Sequence, residues 1–155
     1  MRKLMCIIIA LCTMGLFLPG AVSAADPIVI GAPLSTAFLY GWDAERGIKL
    51  AVDEINAAGG VKVGNVKRPF KVEVIDTRDL EPGVPVSEAL LGLEKLILEK
   101  KADFIVGGPV RSEAALAAMD LLSRYKRVSI LTTGVLTPAY QKRVADNYNK
   151  YKYCF

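Results

Sequence analysis

Four short apolar runs, spaced by segments of helical period, constrain the fold of this chain more than any other feature. The runs cover residues 28–30, 70–75, 104–106 and 128–131, each too short for a helix and rich in β-branched residues. After the first run, Ile48, Ala51, Val52 and Ile55 recur at i, i+3, i+4 and i+7. That spacing predicts one apolar stripe on a helix over about residues 43–58, with Lys49, Asp53 and Glu54 off the stripe. Gly59 and Gly60 close it where a positive φ is wanted. Val86, Ala89, Leu90, Leu93, Leu96 and Ile97 give the stripe of a second helix over about residues 85–100, and Pro85 suits its first turn. Gly107-Gly108-Pro109 turns the chain, Ser112 reads as the N-cap of a third helix to residue 124, and Thr137-Pro138 opens a fourth to about residue 148. Apolar strands alternating with amphipathic helices make βαβ units. The expected class is α/β, a parallel sheet with helices on both faces because each crossover is right-handed.

The first 24 residues have the order of a secretory signal peptide. Arg2 and Lys3 come first, then an apolar core over residues 4–18 broken only by Thr13, then Pro19-Gly20 and the small residues Val22-Ser23-Ala24. The core is short of the roughly 20 residues of a membrane-spanning helix, so an uncleaved anchor is the lesser reading. The expected division is therefore residues 1–24 as signal peptide and 25–155 as a mature, exported domain, periplasmic in location. Cleavage removes Cys6 and Cys12, leaving Cys154 without an intrachain disulfide partner. It also lowers the formal net charge of +4 by two. A near-neutral mature chain argues against a nucleic-acid partner. Lys62, Lys67, Arg68 and Lys71 read as a solvated, hairpin-like excursion. The aromatic end, with Tyr148, Tyr151, Tyr153 and Phe155, reads as truncated, with an unpaired sheet edge and a Cys154 open to intermolecular oxidation.

The residue types weigh against catalysis. The chain has no histidine, which removes His-based triads and most zinc sites. Gly107-Gly108-Pro109 has too few glycines for a dinucleotide fingerprint, and its proline offers no amide hydrogen to a phosphate. Asp76, at the end of the second strand, stands where a phospho-acceptor would, but a turn or capping role is the stronger reading. No base accompanies Cys154. No catalytic residue, metal or cofactor is expected.

Binding has more support. In an open parallel sheet, ligands sit at the carboxyl ends of the strands. Residues 33–42, 107–112 and 132–137 form the loops there. Gly108-Pro109-Val110-Arg111-Ser112 leads into a helix N-terminus, whose free amides and dipole suit a carboxylate. A plain capping role for Ser112 is compatible with that.

The run IVIGAPLSTAFLYGWDAERGIKLAVDEINAAGG resembles the start of the type I periplasmic solute-binding proteins, in the branch that binds leucine, isoleucine and valine for ABC transporters. The resemblance extends over nearly all of residues 28–155 and matches only the first of that family's two lobes, a Rossmann-like α/β unit. It implies ligand contacts at three places. Ser112 matches the serine of a G-P-x-x-S run that touches the amino acid's backbone groups. Tyr40, before Gly41, matches an aromatic residue against which the ligand lies. Gly134, four places before Pro138, matches a small residue beyond the fourth strand. The family's threonine two places before that proline is Leu136 here, and Thr133 or Thr137 is the nearest hydroxyl to replace it. Tyr40, Ser112 and Gly134 are accordingly expected on one concave surface. The implied function is that of a solute-binding component taking a branched-chain amino acid, or a similar small polar solute, between two closing lobes, with an inner-membrane permease as partner. A sensor ectodomain of the same fold and a flavodoxin-like enzyme are the alternatives.

Overall fold

The computed structural model describes residues 25–133 and 138–155, so the signal-peptide reading and Gly134 lie outside the described residues. The elements run β1 (Ile28–Leu34), α1 (Leu39–Ala57), β2 (Val61–Val63), β3 (Val66–Arg68), β4 (Phe70–Asp76), α2 (Val86–Leu98), β5 (Phe104–Gly107), α3 (Ser112–Tyr125), β6 (Val128–Leu131), α4 (Pro138–Asp146) and α5 (Tyr148–Tyr151). The four runs read as strands from the sequence do form one parallel sheet, in the order β4-β1-β5-β6. Lys62, Lys67 and Arg68 of the basic excursion lie in an antiparallel hairpin of β2 on β3, whereas Lys71 belongs to β4 of the main sheet.

The step from β1 to β4 runs one way along the sheet, whereas β4 to β5 and β5 to β6 run the other. Right-handed crossovers therefore put α1 on one face and α2 with α3 on the other. On the second face, Leu93, Leu96 and Ile97 of α2 meet Met119 and Leu122 of α3 over Ile105, and Tyr140 and Tyr151 close the cluster. On the first face, among the described residues, α1 packs alone over β1, β4 and β5. Its stripe is consequently less buried than its period implied. Val52 is buried and Ile48 half-buried, but Ala51 and Ile55 are exposed, because nothing described flanks the helix.

Two boundaries differ from the sequence reading. Strand β1 continues to Leu34, and α1 begins at Leu39 rather than near residue 43. The loop between them is short because Gly41 sits hard against it: a Cβ there would lie 2.1 Å from the Ser35 carbonyl oxygen. The end of the chain also differs from expectation. Residues 153–155 run beside β6, with Ser129 N–H donating to the Tyr153 carbonyl at 2.8 Å and Phe155 N–H to the Ser129 carbonyl at 2.9 Å. The edge of β6 is thus paired, and Cys154 is buried rather than exposed. Burial pushes its thiol pKa up, which makes it a poor nucleophile.

Candidate functional site

The carboxyl ends of β1, β4, β5 and β6 converge, and a small set of polar contacts locks their loops together. Gly107 has a φ of 111°, and a Cβ on it would meet Leu34 Cδ2 at 2.7 Å. A Cβ on Gly108 would meet the Pro33 carbonyl oxygen at 2.3 Å. Only glycines let the exit of β5 lie this close to that of β1. The Gly107 carbonyl then accepts from Thr132 N–H at 2.9 Å, Thr133 N–H at 3.2 Å and the Thr133 hydroxyl at 2.9 Å. That single oxygen fixes the exit of β6. The proton of Thr133 is used in this way, but its oxygen can still accept from a ligand.

The exit of β4 is tied down by carboxylates. Asp76 Oδ1 accepts from the Thr36 and Arg78 amides, both at 3.1 Å, which is the turn role read from the sequence. Asp79 is fully buried. Its Oδ1 accepts the Thr77 hydroxyl at 2.6 Å, and its Oδ2 accepts Arg111 N–H at 2.6 Å. Ser35, also fully buried, accepts Leu80 N–H on its Oγ at 3.3 Å. Sequence reasoning missed Ser35, Thr77 and Asp79. An aspartate three residues past a strand carries no spacing signal that it will cap a helix 32 residues onward.

This capping corrects the reading of Ser112. The N-cap of α3 is Arg111, with Ser112 the first helical residue, and the cap is supplied in trans by Asp79 rather than by the serine. Arg111 is itself held, its Nη1 donating to the Val84 carbonyl at 3.2 Å. The N-cap amide of α3 thus already has a carboxylate partner.

Beside this frame lies an open hollow of about 630 Å³ between α1 and the exit of β6, lined by Tyr40, Asp43, Ala44, Ile48, Thr132 and Thr133 among others. Its size falls in the range of small-molecule sites. Tyr40, in the first turn of α1, is 67% exposed, so its ring is free to cover a ligand. Of the residues singled out from the sequence, the structure brings Tyr40 and Thr133 together here. Ser112 stands half-buried at the neighbouring β5 exit, at the same end of the sheet but outside the lining of the hollow. Another hollow, of about 520 Å³, lies between α2 and the edge strand β4 over Ile75, Leu91 and Leu98, and neither Tyr40, Ser112 nor Thr133 lines it. Among the described residues, no group of His, Cys, Asp and Glu side chains could hold a metal ion, and no helix is long and apolar enough to cross a membrane. The groups at the strand exits are hydroxyls, amides, an aromatic ring and a carboxylate, which suit reversible binding.

No protein-family model matches the chain, and no curated protein matches its sequence. Its structure does resemble solved ones. A candidate branched-chain amino acid ABC transporter protein from Silicibacter pomeroyi superposes with a TM-score of 0.69 at 23% identity, over 84% of this chain and 31% of that one. The branched-chain amino acid transporter substrate-binding protein LivJ from Streptococcus pneumoniae, solved with isoleucine, gives 0.65 at 26% identity, over 83% of this chain and 33% of that one. An ABC transporter substrate-binding protein from Sphaerobacter thermophilus gives 0.62 at 26%, over 83% and 31%. The latter two are substrate-binding proteins. The chain thus has the α/β lobe fold of these proteins and spans about a third of their length.

Proposed function

We propose that this chain is a ligand-binding lobe of an extracytoplasmic solute-binding protein serving an ABC transporter. Its solute is an amino acid of the branched-chain type or a small polar molecule of similar size. The observation that carries this is the open hollow at the carboxyl ends of a β4-β1-β5-β6 parallel sheet, with Tyr40 and Thr133 facing it, in a fold shared with an isoleucine-bound transporter protein. In this reading Tyr40 covers the apolar part of the solute. Thr133 and the Ser112 hydroxyl hold its polar groups together with residue 134, and a second lobe excludes water from the other side. The order of residues 1–24 supports export to the periplasm and an inner-membrane permease as partner.

The test is a nuclear magnetic resonance titration of the labelled chain with leucine, isoleucine and valine, a method that detects the weak binding expected of half a cleft. Amides of Tyr40, Ala44, Thr132 and Thr133 are expected to shift together. Tyr40→Ala should weaken binding by about 1–2 kcal/mol through lost stacking area, and Ser112→Ala by about 1 kcal/mol through a lost hydrogen bond. Shifts confined to another surface would sink the reading.

A further inference from the structure

We infer that the hollow between α1 and the exit of β6 selects a solute presenting a positively charged head, an ammonium or guanidinium, with Asp43 as the residue that recognises it. This deepens the proposed function and rests on the hollow being the solute site.

The charge balance of the lining carries the inference. Its polar groups are the Tyr40 hydroxyl, the Asp43 carboxylate and the hydroxyls of Thr132 and Thr133, and no lysine or arginine lines it. Asp43 makes no ion pair among the described residues, since the nearby cations of α1 are engaged elsewhere. The Arg46 guanidinium lies 3.5 Å from the centroid of the Trp42 ring, and Lys49 Nζ is 2.5 Å from Glu45 Oε1. The alternative attraction, of a carboxylate to a helix N-terminus, loses one donor at α3, where buried Asp79 already holds the Arg111 amide. Among side chains, the lining offers a solute one carboxylate, an exposed aromatic face and hydroxyl oxygens, with no cationic group to oppose them. An aromatic ring beside a carboxylate attracts a cation by its quadrupole as well as by charge, and a carboxylate head would meet Asp43 as a like charge.

Three probes of one shape isolate the head group. Leucine carries both charges, 3-methylbutylamine only the ammonium and 4-methylpentanoate only the carboxylate. In titrations of the labelled chain followed at the amides of Tyr40, Ala44 and Thr132, the amine is expected to bind at least about tenfold more tightly than the carboxylate, with leucine between them. The preference should shrink as salt rises from 10 mM to 0.5 M, as screening requires. Asp43→Asn should erase it, Asp43→Glu should keep it, and Asp53→Asn, on the same helix outside the hollow, should leave it unchanged. Equal or reversed affinities, with those amides still shifting, would overturn the charge selection and leave the solute site standing. So would a preference that survives Asp43→Asn. No shift at those amides with any probe would overturn the solute-site reading itself, and this inference with it.

Discussion

The two faces of the sheet are built to different standards. Under α2 and α3, Leu93, Leu96, Ile105 and Met119 are fully buried, and four helices share the covering. Under α1 a single helix covers three strands, and apolar side chains stay in contact with water: Leu50 and Ile55 on the helix, Phe104 and Ile130 on the strands beside it. Parallel sheets are ordinarily covered on both faces, so the exposed face is the exceptional one. The difference separates two tasks. The dense face supplies the apolar burial that holds the lobe together, and the sparse face leaves α1 standing clear of β6, which is the gap that becomes the hollow.

The largest expected effect tests that division directly. Leu96→Ala should cost about 3 kcal/mol by urea denaturation, as deletion of a fully buried leucine does, while Leu50→Ala, at 63% exposure, should cost less than about 0.5 kcal/mol. Equal costs would mean that the α1 face carries as much of the fold as the other. Next in size, Asp79→Ala strands the Thr77 hydroxyl and the Arg111 amide, and should cost about 2–3 kcal/mol. Asp76→Ala, at an exposed turn, should cost less than about 1 kcal/mol. A mild Asp79 variant would show that the strand exits are not held by that carboxylate.

Cys154 extends the comparison to the margin of the dense face. Its thiol pKa is raised by burial, so the neutral form is favoured in the folded chain. The associated stability is fully present below the unfolded thiol's value, about 8.5, and is lost as the pH rises through the folded value. Aromatic disulfide reagents should modify the native thiol far more slowly than the same thiol in urea. Fast native labelling would mean that residues 153–155 are not held on β6.

The smallest effect concerns Asp120, which docks α5 to α3. Lys150, 2.6 Å away, is the first cause that holds its carboxyl below the usual value, and the Tyr151 hydroxyl at 2.9 Å is the second. A lowered folded value adds stability above the unfolded value, about 3.9, and that stability is lost as the pH falls through the folded one. The side chain is 47% exposed, so the gain is small. Acid titration of wild type and Asp120→Asn should show the variant flatter below about pH 4. Identical acid limbs would remove the ion pair from the account.

Much of this architecture was legible in local pattern. The β-branched runs, the stripe of α2 and the excursion around Lys62, Lys67 and Arg68 were all recoverable, because strand and helix periods are properties of neighbouring residues. The choice of Tyr40 and Thr133 came from strand-end logic and resemblance, and the structure sets both in one hollow. The period of α1 was legible too, but the depth of its burial was not. A stripe says which side of a helix faces inward and nothing about how much neighbouring structure stands around it.

What the sequence determined alone is therefore the alternation, the parallel class and the lack of a histidine to build catalysis on. Only the tertiary structure decided that Asp79 caps α3, that Gly107 holds Thr133, that residues 153–155 pair with β6 and that Asp43, among the described residues, lines the hollow beside no lysine or arginine. The physical reason is range. Periodicity acts over a few residues, whereas a hydrogen bond, an edge pairing or an unbalanced charge depends on which distant segments the crossovers bring to the same end of the sheet.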